Sequence, residues 1–298
     1  MIAIAYALVA TVAWTINLLL VNQVMRMWPA GWAGALSRLI STGIIGLWIL
    51  RSRAIGWRRM RFNGQGRRIL MMGGAAVAVN VCLFTAMKWT TVANAALLYR
   101  SDLLFVILIG WFLGLERITW AGWLVMPMMF AGMALIMRIQ YFQWTGRLRG
   151  DLLVLLAAFS FAVNAFIIRS ILHHLGEHVV AFYNNLLCAG GFVVLALIQK
   201  VGPPVQVVAW GWLVALGVMG SISLPLYYAA LHRMPVWKLR VFMLLSPLMA
   251  AGADWLIWGQ RLHGGQWGGA VLLLAGAVVL ILSEARAMRL AGIKEPDT

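Results

Sequence analysis

Three charged residues interrupt long apolar stretches of the sequence: Arg38, Arg100 and Asp102. In the middle of a membrane-spanning helix such a charge costs about 2.5–3.5 kcal/mol on insertion scales, so it needs a purpose or a partner. An arginine binds carboxylates bidentately, and an aspartate there binds an ammonium group or a coupling proton. These residue types therefore predict a site for a small anionic or zwitterionic ligand.

Asp102 needs a cationic partner on another helix. Arg100 is two residues away, about 200° round a helix, so the two side chains do not share a face. Tyr99 lies three residues before Asp102 and does share its face. Arg38, at mid-depth in the second span, is a candidate for that partner. Two roles stay open for Asp102, substrate or proton binding and a structural ion pair, and both arginines are open to structural roles as well.

The other candidates are amide and aromatic side chains within apolar stretches. Membrane amides either contact a solute or bridge helices, and aromatic rings either line a cavity or pack in the core. These candidates are Asn17, Asn164, Asn185, Trp14, Trp89, Tyr228 and Trp237. Pro225 and Pro247 are expected to break or kink their helices.

Motifs for metal or nucleotide chemistry are absent from the sequence. His173, His174 and His178 cluster, but only the last two have helical spacing, so a solvated turn is the interpretation rather than a metal site. No G-x-x-x-x-G-K-[ST], H-E-x-x-H or G-x-S-x-G run occurs. Cys82 and Cys188 fall in apolar runs, as buried thiols do. We expect no metal, no cofactor and no enzymatic activity.

Transmembrane helices must position these residues. Of the 298 residues 63% are hydrophobic and 11% are charged, whereas soluble domains carry about 25% charged residues. Ten apolar runs approach the length of about 20 residues that a span needs. They cover residues 2–22, 30–50, 69–87, 91–115, 119–138, 150–171, 178–198, 208–230, 235–258 and 265–285. Lipid offers no partner to free backbone groups, and barrel alternation is missing, so an all-α integral membrane protein of ten transmembrane helices is predicted.

The formal net charge of +16 comes from basic runs between the spans, which indicates membrane topology rather than nucleic-acid binding. The loop 51–68 holds seven arginines, so we place it in the cytoplasm. Counting spans then puts both termini inside. Arg138, Arg147 and Arg149, around the predicted outer loop, oppose this orientation. No basic segment precedes the first apolar run, so no cleaved signal peptide is expected.

The chain also resembles itself. After a shift of about 144 residues Trp123 falls on Trp267, and AWTIN (13–17) falls near SFAVN (160–164), which sets Asn17 on Asn164. A repeat of five spans has an odd number of crossings, so the second copy is inverted relative to the first. The prediction is two inverted five-helix repeats and a cytoplasmic tail, at residues 1–145, 146–288 and 289–298.

One pattern marks the fourth and fifth spans of each half: a mid-span Pro, a Glu thirteen positions later, and a Gly-rich next span. Pro247 is followed by Gln260 and AGAVVLIL (275–282), and Leu103 is followed by Glu116 and AGMALIM (131–137). The second half thus has the Pro but not the Glu, and the first half has the Glu but not the Pro. With its two five-span halves, the chain resembles the EamA-type members of the drug/metabolite transporter superfamily. That resemblance implies ten helices, cytoplasmic termini and transport of metabolites such as amino acids, usually outward.

The function predicted is a secondary transporter of the bacterial inner membrane, which exports a small zwitterionic or anionic metabolite such as an amino acid or its derivative. Its partners would be that small-molecule substrate and the lipid bilayer, with no nucleic acid, and a homodimer stays open. Two alternatives remain: an accessory or sensory membrane subunit, and a membrane-embedded lipid-modifying enzyme. The eight acidic residues are scattered, which disfavours the enzyme.

Overall fold

The computed structural model describes residues 2–52, 64–86, 89, 98–116, 118–136, 148–200, 202, 207–258 and 264–290. Within these residues the chain forms eleven α-helices and no β-strand. The helices are α1 (Ile2–Met25), α2 (Ala30–Arg51), α3 (Gly66–Ala86), α4 (Asp102–Phe112), α5 (Trp120–Ile136), α6 (Leu148–Leu172), α7 (Glu177–Gln199), α8 (Val207–Arg233), α9 (Val236–Met243), α10 (Ser246–Trp258) and α11 (Gly264–Leu290).

Seven of these helices are long and apolar enough to cross a bilayer, namely α1, α2, α3, α6, α7, α8 and α11. The apolar helices α4 and α5 are shorter. The predicted ninth span is occupied by α9 and α10 together. The all-helical membrane fold is thus confirmed, with every predicted span represented. Residues 91–97 of the fourth span, most of the basic loop 51–68 and the tail 291–298 lie outside the described residues.

The ninth span is broken, as its proline predicts. The backbone turns at Leu244 and Leu245 between α9 and α10, and Pro247 follows at the second position of α10. Proline has no amide hydrogen to continue the helical hydrogen bonding, but it is well accommodated in a first helical turn. Pro225 behaves differently, since it lies inside α8 without ending that helix.

The fourth span has a break at the corresponding place, without a proline. Its turn lies at Arg100 and Ser101, directly before α4. The amide of Ser101 donates to the carbonyl of Leu98 at 3.0 Å, and the amide of Leu245 donates to that of Phe242 at the same distance. A shift of 144 residues superposes the two turns. Within the described residues, one turn therefore precedes α4 and another precedes α10, at positions 144 residues apart.

The long helices pack in pairs drawn from opposite halves of the chain. The closest partners are α2 with α7, α1 with α8, α3 with α6, and α5 with α11. Between α5 and α11 the backbones approach so closely that only glycine fits. A Cβ on Gly132 would lie 2.8 Å from the carbonyl oxygen of Gly269, and one on Gly276 would lie 2.3 Å from Cγ of Met129. Small residues permit such contacts between membrane helices.

Candidate functional site

A polar cavity of about 150 Å³ lies among α1, α2, α3, α7 and α8. Four predicted site residues line it together: Trp14, Asn17, Arg38 and Asn185. The further polar lining, which the sequence analysis did not single out, is Ser37, Ser41, Asn80 and Ser223. In a chain so poor in polar residues, this concentration between membrane-spanning helices marks a candidate binding site.

Arg38 is the one charged side chain in the described lining of this cavity. Its Nη1 donates to Oδ1 of Asn185 at 3.1 Å, and its Cζ lies 5.8 Å from the ring centroid of Phe192. Within the described residues no carboxylate pairs with it. The expected pairing of Arg38 with Asp102 is therefore wrong, because Asp102 has a partner elsewhere. Arg38 keeps guanidinium donors for a ligand.

Hydroxyl and amide groups complete the cavity. The hydroxyls of Ser37 and Ser41 donate to the carbonyl oxygens of Ala33 and Gly217, each at 2.6 Å. Since those donors are used, the two hydroxyls can serve a ligand only as acceptors. Nδ2 of Asn185 has no hydrogen-bond partner among the described residues, so it remains a donor. The cavity thus combines donors for a carboxylate with acceptors for an ammonium group.

Asp102 belongs to a second, sealed group of charges. Its Oδ2 lies 3.3 Å from Nη1 of Arg240 on α9, and both side chains are almost completely buried, at 5% and 3% exposure. The prediction that Asp102 requires a cation from another helix was sound in principle, but it named Arg38 instead of Arg240. A buried pair of this kind costs desolvation, and removing one partner leaves an uncompensated charge.

A reciprocal contact joins the same two broken helices. Arg100, in the turn before α4, donates from Nη2 to Oγ of Ser246 at 2.8 Å, and Ser246 is the first residue of α10. Arg240 precedes the second break and pairs with Asp102, the first residue after the first break. We call the four residues Arg100, Asp102, Arg240 and Ser246 the central brace. It clamps the two helix breaks to each other.

Aromatic rings fill the space between the cavity and the central brace. Tyr99 stacks on Phe161 with centroids 5.5 Å apart, and Cζ of Arg240 lies 3.9 Å from the Phe161 centroid. On the other side, Tyr227 lies 5.6 Å from Cζ of Arg240 and 5.5 Å from Trp14, which lines the cavity. The cavity and the brace are therefore neighbours separated by an aromatic layer.

The sequence model of the EamA-like transporter family matches residues 1–138 and again residues 148–282. The chain belongs to the EamA-like transporter family. It is thus a multi-pass membrane protein of the drug/metabolite transporter superfamily, as its sequence marks predicted, and members of this family are small-molecule transporters. A solved crystal structure with 20% sequence identity superposes with a TM-score of 0.81, covering 94% of this chain and 97% of the other, which shows a shared fold. Comparison with curated protein sequences gives no significant match.

Glu116, the EamA mark at the end of the fourth span, stabilises the start of α9. Its Oε1 accepts from the amide of Val236 at 2.6 Å, its Oε2 accepts from the amide of Trp237 at 3.2 Å, and Arg169 forms an ion pair with it. A carboxylate at a helix N-terminus satisfies free amides and complements the helix dipole. The Glu116 side chain is only 3% exposed, so this carboxylate is buried against the start of α9.

Arg240 is the functional candidate that sequence reasoning missed. It lies in the predicted ninth span, five positions after Pro235, where basic residues usually report the cytoplasmic end of a helix. Its position in the predicted span could have indicated it. Lys238 already lies at the end of that span, so Arg240, two positions further along, lies deeper in the hydrocarbon.

The remaining predicted residues of this EamA member lie away from the cavity lining. Asn164 and Tyr228 are buried at 4% and 1% exposure, and Oδ1 of Asn164 has no partner among the described residues. Trp237 is buried against Gly122 of α5, where an added Cβ would lie 2.7 Å from its ring. Trp89 is 43% exposed. Neither tryptophan lines this cavity, and Trp237 takes the other role left open for it, packing in the core.

A second, more apolar crevice of about 480 Å³ lies between α2 and α8, beside the ends of those helices predicted to be cytoplasmic. Its charged groups are already paired. Nη1 of Arg233 lies 2.9 Å from Oε1 of Glu177, and the Arg233 guanidinium lies 4.4 Å from the Tyr6 ring. Because α2 lines the cavity with Ser37 and Ser41 and the crevice with Ile45 and Trp48, one or two turns further on, the two spaces follow one another along that helix.

Proposed function

We propose that this chain exports a small zwitterionic or anionic metabolite, such as an amino acid or an amino-acid derivative, across the bacterial inner membrane. The observation that carries the proposal is Arg38: a guanidinium in a polar cavity between membrane-spanning helices, with no acidic partner in the described part of the chain. A cation kept at such a place is best compensated by an anionic ligand.

The chemistry of the lining supports a ligand that carries both charges. Arg38 and Nδ2 of Asn185 offer donors to a carboxylate, while the oxygens of Ser37 and Ser41 offer acceptors to an ammonium group. The ring of Trp14 adds an apolar wall. At about 150 Å³ the cavity is smaller than the roughly 300–1,000 Å³ of drug-sized sites, which favours a small metabolite.

Alternating access would come from two inverted five-helix repeats rocking about the cavity, with both termini in the cytoplasm. Three observations support this arrangement. The family model matches each half separately, and both halves break their fourth span at the same place. Helix packing is also reciprocal. In two five-helix repeats α1 would correspond to α6, and α3 to α8; α1 packs on α8, and likewise α6 packs on α3.

The driving force would be a gradient of protons, of a counter-solute or of the metabolite itself. The sequence has no nucleotide-binding run to supply energy by hydrolysis. Secondary transport therefore suits the chain, and it needs only a binding site that faces each side in turn.

The test compares the metabolites in the medium around cells that overproduce the wild type, Arg38→Ala, Arg38→Lys or Arg68→Ala. We expect a carboxylate-bearing metabolite to accumulate outside wild-type cells and to fall at least about tenfold with Arg38→Ala, since a charge-assisted hydrogen bond contributes about 1.5–3 kcal/mol. Arg38→Lys keeps the charge but loses the bidentate fork, so its export should be intermediate.

Arg68→Ala is the matched control, because Arg68 is an exposed arginine that hydrogen-bonds only to nearby Gln65 in the described structure. It should export like the wild type at equal amounts of membrane-inserted protein. Unchanged export by Arg38→Ala would remove the cavity as the binding site. Depletion of the metabolite from the medium would reverse the direction proposed.

A further inference from the structure

The guanidinium of Arg240 uses one of its edges and leaves the other without a partner. Nη1 pairs with Asp102 at 3.3 Å, whereas Nε and Nη2 are buried and have no hydrogen-bond partner among the described residues. Nε and Nη2 form the lateral edge of the guanidinium, whose two parallel N–H groups fit the two oxygens of a carboxylate. Buried donors are nearly always satisfied, so an unpaired pair of charged donors indicates a missing acceptor.

The charges of the central brace do not balance either. Arg100 and Arg240 contribute two positive charges, and Asp102 contributes the one described carboxylate in contact with them. Of the other buried or half-buried acids, Glu116 and Glu177 form ion pairs elsewhere, near the ends of their helices, and Asp151 lies in the first turn of α6. An additional anion at the brace would neutralise the excess charge in a region shielded from water.

Two further features favour an anion beside Arg240. The hydroxyl of Tyr227 is buried without a partner in the described structure, and its ring lies 5.6 Å from Cζ of Arg240. The helices α4 and α10 both begin within the brace, at Asp102 and Ser246, so two helix N-termini with their positive dipole ends are directed there.

We propose that Nε and Nη2 of Arg240 form an occluded subsite for the carboxylate group of the substrate. It is distinct from the Arg38 cavity, and Trp14 and Tyr227 separate the two. Movement of these two rings passes the carboxylate from Arg38 to Arg240, which loads the substrate between the two broken helices. This inference rests on the proposed transport of a carboxylate-bearing metabolite, and it adds the place where that metabolite is occluded.

The experiment measures carboxylate binding to the purified full chain in lipid nanodiscs by thermal unfolding. An Arg38→Met background removes the guanidinium of the cavity, so that binding there does not obscure the second site. The probes are benzoate and acetate, with benzylamine and inorganic phosphate as comparisons. Benzoate and acetate should raise the Tm of the Arg38→Met protein, and benzylamine and phosphate should not.

Adding Arg240→Lys to this background should raise the Kd for benzoate about ten- to hundredfold, because lysine keeps the charge but lacks the lateral pair of donors. Adding Asp102→Asn should instead lower that Kd, since it removes the competing negative charge while keeping the shape of the side chain. The opposite signs distinguish a binding role for Arg240 from a general loss of structure.

Three results would overturn the subsite: no stabilisation of the Arg38→Met protein by benzoate, equal stabilisation by benzylamine or phosphate, or an unchanged Kd after Arg240→Lys. If Arg240→Lys does not yield folded protein, Asp102→Asn decides alone, and an unchanged or higher Kd then contradicts the proposal. Normal Arg38-dependent export in cells, together with any of these results, would leave the proposed function intact and remove only the subsite.

Discussion

Two arginine sites lie side by side in this protein, and they differ in whether an acidic side chain compensates the arginine charge. Arg38 lines a cavity of about 150 Å³ among hydroxyl and amide groups and meets no described acid. Arg240 lies behind Tyr227 in an almost completely buried ion pair with Asp102. Both arginines lie within predicted apolar spans, so their positions in the sequence do not distinguish a cavity residue from a buried ion pair.

The difference between the two sites is the source of compensation. A cavity that admits water hydrates a guanidinium and leaves it available to a ligand. In a cluster shielded from water only protein groups can compensate a charge, and in the central brace those groups lie reciprocally across the two helix breaks. Under the proposed function, Arg38 in the cavity binds the substrate, whereas the brace joins the two helix breaks and leaves Nε and Nη2 of Arg240 without a described partner.

Asp102→Ala is expected to have the largest effect on stability, and it tests whether the two sites differ as described. It leaves Arg100 and Arg240 buried without any described carboxylate, and losing one partner of a buried pair costs about 3–5 kcal/mol. We expect a large drop in the thermal stability of the purified protein, measured by unfolding in a fixed detergent. Glu177→Ala is the control, because the pair of Glu177 and Arg233 is partly exposed and contributes about 1 kcal/mol or less.

A double substitution checks the cause of that loss. Asp102→Leu combined with Arg240→Met removes both charges of the pair, and hydrophobic replacement of a buried ion pair is often neutral or stabilising. The double variant should be more stable than Asp102→Ala. If it is equally unstable, the loss comes from packing around Asp102 rather than from the unpaired arginine.

The fold followed from the sequence because its signals are local. The length and hydropathy of each apolar run predict the helices, and Pro247 predicts the break between α9 and α10. The break before α4 had no such mark, since Leu103 stands where the proline would be. The break before α4 is accompanied instead by an interaction that arises only after folding, the contact of Arg100 with Ser246.

The site was predictable only in part. Polarity within apolar runs identified Arg38, Asn17 and Asn185, which meet in one cavity. The partner of Asp102 was not identifiable, because Arg240 is 138 positions away and near a helix end where basic residues are common. Choosing between Arg38 and Arg240 requires knowing which helices touch, and sequence periodicity does not report that.

A smaller effect sharpens the comparison from the cavity side. Arg38→Met should change the free energy of unfolding by no more than about 1 kcal/mol, because in the described structure Arg38 makes one hydrogen bond, to Asn185, and no ion pair. The same thermal measurement as for Asp102→Ala applies. A loss comparable to that of Asp102→Ala would mean that Arg38 is a structural charge, and the division between the two sites would fail.

The smallest effect concerns water itself, and two matched cysteine substitutions measure it. Ser37→Cys places a thiol in the cavity lining and Ser246→Cys places one in the central brace, in a background where Cys82 and Cys188 are replaced by alanine. A small water-soluble methanethiosulfonate should modify Ser37→Cys several-fold faster. Both serines are largely buried, at 8% and 1% exposure, so the rates report access of water to each site rather than surface position. Equal rates would mean that the brace is as wet as the cavity. The charges of Arg100 and Arg240 would then be compensated by solvent, and the large cost expected for Asp102→Ala would lose its physical basis.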